Sequence, residues 1–230
     1  MPLRLEEWLP IYRRICEDFG FSEREDILAA QRLADLIGDR VEGYLEPVRK
    51  DLPESVLICG GSPRLADELS SMSVDRYVVV ADSAASVLLD AGVKTSMIVT
   101  DLDGVVEDQV ELNRAGAVVF VHAHGDNRRA IEKYIPLFPG PIIGTCQCDP
   151  PKGLVNFGGF TDGDRAACIC AALGAERLYL AGFDFENPSE KPGRLQEVKR
   201  RKLAWAKQIL HMLAEDRVKI LDATSETEIP

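Results

Sequence analysis

Between residues 56 and 221 the chain alternates short apolar runs with longer amphipathic segments, and this pattern restricts its fold more than any other feature. The runs are rich in Val and Ile and mostly lack alternating polar residues, which is typical of parallel strands buried on both faces. The predicted strands are 56–59, 77–80, 96–99, 117–121, 141–144, 177–182 and 218–221. The predicted helices between them are 63–70, 83–91, 106–115, 127–138, 162–173 and 194–215. Repeated strand–helix–strand units imply right-handed crossovers, so we expect a three-layer, Rossmann-like α/β sandwich with a mostly parallel sheet.

Residues 3–51 have a different pattern, in which apolar side chains recur at helical spacing. Ser22, followed three residues later by Glu25, has the form of a capping box at a helix start. We therefore expect an N-terminal helical extension at residues 1–53, packed on an α/β catalytic domain at residues 54–230.

The charge balance limits the partners of the chain. With 27 Lys and Arg against 38 Asp and Glu, the formal charge is −11, which argues against non-specific binding of nucleic acid. No apolar run approaches the ~20 residues of a membrane span, and the N-terminus lacks the pattern of a secretory signal. We expect a cytoplasmic protein with small-molecule partners and six reduced cysteines, and homodimerisation stays open.

Polar residues and glycines follow six of the predicted strands, at the edge where open α/β sheets bind ligands. The candidates are Gly60 and Ser62 after the first strand, Asp82 and Ser83 after the second, Asp101 and Asp103 after the third, His122, His124, Asp126 and Asn127 after the fourth, Gln147 after the fifth, and Asp184 after the sixth. Their convergence on one edge of the sheet is typical of a ligand site.

The Asp-x-Asp pair of Asp101 and Asp103 predicts a metal site. Side chains two apart on a strand point the same way, roughly 6.6 Å apart, so both carboxylates can face one cation. Oxygen-only ligands suit Mg²⁺, which takes its remaining ligands from water and substrate phosphates. Because Asp103-Gly104 is also a common turn dipeptide, a capped loop explains the pair alone. Asp82 and Asp126 at neighbouring strand ends favour the metal–phosphate interpretation.

The string HAHGDN at 122–127 allows two interpretations. A His-x-His-x-Asp string can ligate zinc in a metallo-hydrolase, but the chain has only His211 besides these two, and residue 127 is Asn. We favour phosphate and substrate contact, in which Asn127 caps the following helix and Arg128 lies on its first turn.

Two further segments are candidates for binding phosphate. In the string at 156–167, Thr161 or Asp162 can cap a helix that carries Arg165 on its first turn. Lys199 and Lys202 share one side of a predicted helix, which is either a solvated face or a phosphate-binding one. The polar stretch at 186–193, with two prolines, is predicted as a loop that acts as a lid.

Three strings together resemble the archaeal 6-hydroxymethyl-7,8-dihydropterin pyrophosphokinases. They are Thr-Asp-Leu-Asp-Gly at 100–104, His-Ala-His-Gly-Asp-Asn at 122–127, and Asn-Phe-Gly-Gly-Phe-Thr-Asp-Gly-Asp-Arg-Ala at 156–166. Residues 81–104 also resemble the related thiamin pyrophosphokinases. Residue 83 is Ser where the thiamin enzymes have Gly, and we expect no C-terminal β-sandwich like theirs after the last strand.

The resemblance implies a thiamin-pyrophosphokinase-like catalytic domain that uses Mg²⁺ to transfer pyrophosphate from ATP to a reduced pterin, releasing AMP, in folate or methanopterin biosynthesis. It implies a catalytic set of Asp101, Asp103 and Asp126, with Asp82 assisting at the metal. It also implies that Arg128, Arg165 and Lys199 contact phosphates, that Asp162 or Asp164 adds to the metal shell, and that Gln147, Asn156 and Asp184 lie near the ring.

Three alternatives remain at this stage. The first is an enzyme like the thiamin pyrophosphokinases. The second is a glycosyltransferase, because Asp-x-Asp pairs also hold nucleotide sugars through a cation. The third is a module that binds a nucleotide without turning it over.

Overall fold

The computed structural model describes residues 3–38, 40–185, 196–215 and 218–229. The strands are β1 (Ser55–Cys59), β2 (Tyr77–Ala81), β3 (Met97–Thr100), β4 (Val118–Ala123), β5 (Ile142–Cys146), β6 (Leu154–Val155), β7 (Arg177–Ala181) and β8 (Lys219–Asp222). The α-helices are α1 (Leu5–Phe19), α2 (Glu23–Ile37), α3 (Arg40–Asp51), α4 (Leu65–Ser70), α5 (Ala84–Asp90), α6 (Val106–Arg114), α7 (Arg128–Tyr134), α8 (Asp162–Leu173) and α9 (Gln196–Glu215).

One sheet contains all of these strands, in the order β6-β5-β4-β3-β2-β1-β7-β8, and each pairing is parallel. The predicted α/β fold with a parallel sheet is therefore confirmed. The chain extends the sheet from β1 to β6 on one side, then crosses over to place β7 on the other side of β1. The direction of the connections changes between β1 and β7, and ligands bind at the strand ends beside such a switch point.

The helices of the N-terminal segment share a hydrophobic core with the sheet. Trp8, Tyr12 and Ile15 on α1 are each only 1% exposed. The indole Nε1 of Trp8 donates a hydrogen bond of 2.8 Å to the carbonyl of Gln147, directly after β5. Helix α2 packs against β4 and β5. This packing brings α2 to the carboxyl edge of the sheet.

Local chemistry explains where elements depart from their predicted bounds. The predicted helix 127–138 is divided into α7 and a 3-10 turn at Ile135–Leu137. Pro136 lies in that turn and has no N–H to continue an α-helical ladder. The two-residue strand β6 was not predicted, and the predicted loop at 186–193 lies outside the described residues. Within the described ranges, no helix is long and apolar enough to cross a bilayer.

Helix α9 is held against the C-terminal end of α1. The guanidinium of Arg201 donates a hydrogen bond of 2.7 Å to Asp18 Oδ1, and Trp205 Nε1 donates one of 2.9 Å to Asp18 Oδ2. The Arg201 guanidinium also lies 4.7 Å from the ring centroid of Phe19, which is within cation–π range. These contacts position the first half of α9 beside the carboxyl ends of the strands.

Candidate active site

A cavity of about 1120 Å³ opens at the carboxyl edge of the sheet. The loops after β1, β2, β3, β4 and β7 line it, together with the α1–α2 turn, the start of α8 and the first half of α9. The volume exceeds the roughly 300–1,000 Å³ of a pocket for one drug-sized ligand. The cavity therefore has room for two small molecules at once.

Three carboxylates converge in this cavity. Asp82 follows β2, Asp101 follows β3, and Asp162 is the first residue of α8. One oxygen atom from each lies within 4.8 Å of the others. Oxygen donors at this spacing match the ligand preference of Mg²⁺, which retains waters and binds substrate phosphates. The donor set of this structure therefore fits the magnesium ion that the sequence predicts.

The Asp82 carboxylate is held by its neighbours in a strained backbone position. Thr100 Oγ1 and Gln109 Nε2 both donate to Asp82 Oδ1, at 2.7 and 3.1 Å. The φ angle of Asp82 is +36°, a conformation that non-glycine residues rarely adopt outside functional sites. A Cβ atom at Gly104 would lie 2.7 Å from Asp82 Oδ2, so this approach requires glycine.

The Asp101 carboxylate is oriented by the residues that follow β4. Asp126 N–H donates to His124 Nδ1 at 3.3 Å, which assigns the imidazole proton to Nε2. That Nε2 is 3.3 Å from Asp101 Oδ2 and donates to it. Asn127 Nδ2 donates to the carbonyl of Asp101 at 2.8 Å and ties the two loops together. His124 therefore fixes the rotamer of a carboxylate in the cluster.

The first turn of α8 supplies Asp162 and its ion-pair partner. Arg165 donates at 2.8 Å to Asp162 Oδ1 and at 2.9 Å to the carbonyl of Phe160, although it is only 3% exposed. Asp164 accepts from the backbone N–H groups of Phe160 and Thr161, at 2.6 and 2.8 Å, so it caps the helix. A Cβ at Gly159 would lie 2.3 Å from the Arg165 backbone, so only glycine fits here.

The three carboxylates have different proton affinities. Burial and then the charge of Asp101 raise the pKa of Asp82 to about 7. Burial and then the Asp101 charge also raise the pKa of Asp162 well above its ordinary range. Burial alone would raise the pKa of Asp101, but the hydrogen bond from His124 and then the charge of Arg165 lower it. A cation at this site would reverse the two upward shifts, because it favours the ionised forms.

The raised pKa of Asp82 predicts a pH-dependent stability. A carboxyl whose pKa rises from 3.8 to about 7 on folding stabilises the fold fully below pH 3.8, and this contribution is lost as the pH rises through 7. At about 1.4 kcal/mol per pKa unit, the loss is on the order of 4 kcal/mol. Urea denaturation without metal would give the free energy of unfolding of wild type and of Asp82→Asn at each pH. We expect the difference between them, wild type minus variant, to fall by this amount from pH 4 to pH 8.

The comparison with Asp82→Asn removes the contributions of titrating groups that do not interact with Asp82. Asp101 and Asp162 interact with its charge, so their altered titration is part of the measured difference. Excess Mg²⁺ should flatten the fall, because a bound cation keeps Asp82 ionised in the folded protein. A difference that stays constant across this pH range would contradict the assignment of the raised pKa to Asp82.

Most of the predicted site residues line this one cavity. Besides the three clustered aspartates, those that do are Gly60, Ser62, Ser83, Asp103, His124, Asp126, Asn127, Gln147, Thr161, Arg165, Asp184, Lys199 and Lys202. Asp103 is exposed and lies outside the group of three, which Asp162 completes, although Asp103 interacts with Asp82 and helps to raise its pKa.

Three predicted residues lie away from the cavity wall. Arg128 is exposed on α7. His122 is buried behind the wall, with Nδ1 at 3.0 Å from Thr145 Oγ1, and burial lowers its pKa well below the ordinary range. Asn156 donates to the carbonyl of Cys148 at 2.7 Å and so fixes its own loop. Among the described residues, the group spaced for a metal contains no histidine, so nothing there supports the zinc alternative.

Sequence reasoning missed the contribution of the N-terminal segment. Phe21, Ser22, Glu25 and Asp26 all line the cavity. Asp26 occupies a buried position of α2, in register with Ala29, Ala30 and Leu33. An acidic residue on the apolar face of a predicted helix requires buried hydrogen-bond partners, and this signal was available in the sequence.

Comparisons with known proteins find relatives along nearly the whole chain. The profile of a family described as 6-hydroxymethylpterin diphosphokinase, MptE-like, matches residues 31–190. A 6-hydroxymethyl-7,8-dihydropterin pyrophosphokinase of Methanothermobacter thermautotrophicus is 42% identical over 224 residues, which cover 92% of this chain and 95% of that protein. The protein of the same name from Pyrococcus furiosus is 37% identical over 96% of this chain and 99% of its own length.

Solved structures show a more distant likeness. The α-2,3-sialyltransferase Cst-I from Campylobacter jejuni aligns with a TM-score of 0.47 and 12% identity, over 75% of this chain and 77% of that chain. The sialyltransferase CstII of the same organism gives a TM-score of 0.45 and 14% identity, over 76% and 83% of the two chains. At these values the likeness carries no argument about the chemistry of this chain.

Proposed function

The chain belongs to the MptE-like family of 6-hydroxymethylpterin diphosphokinases, and on this premise we propose that it transfers a pyrophosphoryl group from ATP to 6-hydroxymethyl-7,8-dihydropterin. The hydroxymethyl oxygen bonds to the β-phosphorus, the bond from that phosphorus to the α-β bridging oxygen breaks, and AMP leaves. The hydroxyl proton passes to solvent. The carboxylate cluster in a cavity large enough for both substrates is the observation that carries the proposal.

Asp82, Asp101 and Asp162 would hold Mg²⁺, which when bound neutralises charge on the phosphate oxygens. His124 keeps Asp101 in position by donating from Nε2. Arg165 lies behind Asp162 and is engaged with it, so we assign it to positioning that carboxylate instead of contacting phosphate directly. Phosphoryl transfer depends on positioning and charge stabilisation more than on a covalent nucleophile, which suits this arrangement.

The nucleoside would lie at the switch point between β1 and β7. There the loops approach closely, with the Ser62 N–H donating to the Gly182 carbonyl at 2.9 Å. The Phe183 ring lines the cavity beside them and offers a flat apolar surface for a base. Lys199 and Lys202 from α9 line the same cavity and would face the phosphates. The product would enter the synthesis of a folate or methanopterin type of cofactor in the cytoplasm.

The experiment is a comparison of acceptors on one enzyme preparation. We expect AMP release from ATP and Mg²⁺ with 6-hydroxymethyl-7,8-dihydropterin at a rate at least ~100-fold above that with thiamin, because buried polar groups reject ligands that leave them unpaired. AMP would be quantified by chromatography.

Chelator-treated protein should be inactive, and Mg²⁺ or Mn²⁺ should restore turnover, while stoichiometric zinc should be absent. A higher rate with thiamin would contradict the pterin assignment. Consumption of a nucleotide sugar with no AMP from ATP would favour the glycosyltransferase alternative. Tight ATP binding without AMP release would favour the binding module.

A further inference from the structure

Asp26 places a further buried carboxylate in the cavity, separate from the cluster of Asp82, Asp101 and Asp162. It comes from α2, lines the cavity and is 3% exposed. Burying an ionised carboxylate is costly unless hydrogen bonds replace its hydration. Its position in the cavity wall therefore requires an explanation beyond the packing of α2.

The hydrogen-bond partners of Asp26 are neutral donors. Gly125 N–H donates to Oδ1 at 2.7 Å. Tyr12 Oη and Gln147 Nε2 both donate to Oδ2, at 2.6 and 2.7 Å. An ionised carboxylate offers about four acceptor positions, so these three bonds leave capacity for one more donor, on Oδ1. The three bonds also fix the rotamer, so the remaining acceptor is pre-oriented.

Aromatic rings line the same cavity. Phe21 and Phe160 both line it, with ring centroids 6.3 Å apart. Lys202 Nζ lies 5.8 Å from the Phe21 centroid and 5.6 Å from that of Phe160. Phe19 stacks behind Phe21 at 5.3 Å and supports it. Flat apolar rings that share a cavity with a buried acceptor suit a heteroaromatic ring that carries N–H donors on one edge.

We propose that this end of the cavity, formed by Asp26, Phe21 and Phe160, is the acceptor-ring subsite and takes a 2-aminopyrimidinone edge. The inference rests on the proposed function and deepens it. Asp26 Oδ1 accepts from the exocyclic 2-amino group, and the two rings pack against the heterocycle. Asp26 bonds to the loops after β4 and β5, which lie several strands away from the loop after β7 that carries Phe183. The nucleoside is therefore assigned to the other end of the cavity, at Phe183.

The two ends give matched variants. Asp26→Asn and Phe21→Leu alter the proposed ring subsite, and Phe183→Leu makes the same change as Phe21→Leu at the nucleoside end. By calorimetry we expect Asp26→Asn to weaken binding of 6-hydroxymethylpterin at least ~10-fold, the scale of a lost hydrogen bond to a charged group. We expect Phe21→Leu to weaken it several-fold. Binding of a non-hydrolysable ATP analogue should change less than ~3-fold in both, and Phe183→Leu should show the reverse preference.

A second ligand tests the donor edge itself. An analogue with a carbonyl oxygen in place of the 2-amino group presents an acceptor to Asp26, so wild type should bind it at least ~10-fold more weakly than the pterin. The ratio of the dissociation constants of the analogue and the pterin should be smaller in Asp26→Asn and unchanged in Phe21→Leu. Because Asp26→Asn also weakens the contacts of Gly125, Tyr12 and Gln147, its fold would be checked by circular dichroism, and Phe21→Leu provides the independent test.

The failure of this subsite and that of the proposed function are distinguishable. Two results would overturn the subsite. One is an equal loss of pterin and ATP binding in Phe21→Leu, and the other is unchanged pterin binding in both Asp26→Asn and Phe21→Leu. Neither result would contradict AMP release by the wild-type enzyme. If the wild-type protein bound the pterin without releasing AMP, and these variants bound the pterin more weakly, the subsite would stand and the proposed reaction would not. Wild type that binds no pterin would overturn the subsite.

Discussion

Replacing Asp101 or Asp162 by Asn is expected to reduce turnover at least ~100-fold while the protein stays folded. Each change removes a negative oxygen donor from the group whose atoms lie within 4.8 Å of one another. Losing one preorganised charge-stabilising group costs about 10²–10³ in turnover in other enzymes. Replacing one of several close carboxylates relieves repulsion in the metal-free protein, so Asp101→Asn should melt near wild type. Asp162→Asn also leaves the buried Arg165 without its partner, so it should melt at a lower temperature but remain folded at the assay temperature. Steady-state AMP release and thermal melting measure the two effects.

Two further substitutions serve as comparisons. The sequence pattern pairs Asp103 with Asp101, whereas the structure groups Asp162 with Asp101. Asp103→Asn tests which of the two arrangements matters for turnover. Because Asp103 is exposed and outside the cluster, we expect a smaller loss than for Asp162→Asn. Asp67→Asn, on the exposed face of α4 and away from the cavity wall, should leave turnover unchanged. The pairing of Asp101 with Asp103 would be favoured if Asp103→Asn lost as much turnover as Asp101→Asn and Asp162→Asn stayed near wild type.

The sheet could be predicted because its signal is local. Each buried parallel strand appears as an uninterrupted apolar run, and β3 at Met97–Thr100 was expected at 96–99. Strand β6 has only Leu154 and Val155, and two residues carry no periodicity. Asp82 and Asp101 could be brought together from sequence, since parallel strands place their carboxyl ends at one edge.

The remaining parts of the site depend on packing between distant segments. Asp162 reaches the strand ends because α8 packs across β1, β2 and β3, and the Gly159 turn lets the chain pass close to Arg165. Asp26 reaches the cavity because α2 packs on β4 and β5. Helical spacing shows which face of α2 is apolar, but it does not say which strands that face will meet.

Arg165→Met is expected to destabilise the metal-free protein by about 3–5 kcal/mol at pH 8, the scale for removing one partner of a buried ion pair. The guanidinium is almost fully buried and donates to Asp162 Oδ1 at 2.8 Å. Its charge also lowers the pKa of Asp101 and opposes the rise at Asp164. Without it, these carboxylates become costlier to ionise. The destabilisation should therefore be smaller at pH 5, where protonation removes part of the uncompensated charge.

Arg32 provides a control with the same bond length and a different environment. Its Nε lies 2.8 Å from Glu132 Oε1, but both side chains are more than 40% exposed, so Arg32→Met should cost no more than about 1 kcal/mol. In a double-mutant cycle, Asp162→Asn should recover part of the loss in Arg165→Met, with a coupling of at least about 1 kcal/mol. Equal losses in the two Arg→Met variants, with no coupling to Asp162, would mean that burial does not strengthen this pair. The positioning role of Arg165 would then lose its energetic basis, whatever holds Asp162 in the carboxylate cluster.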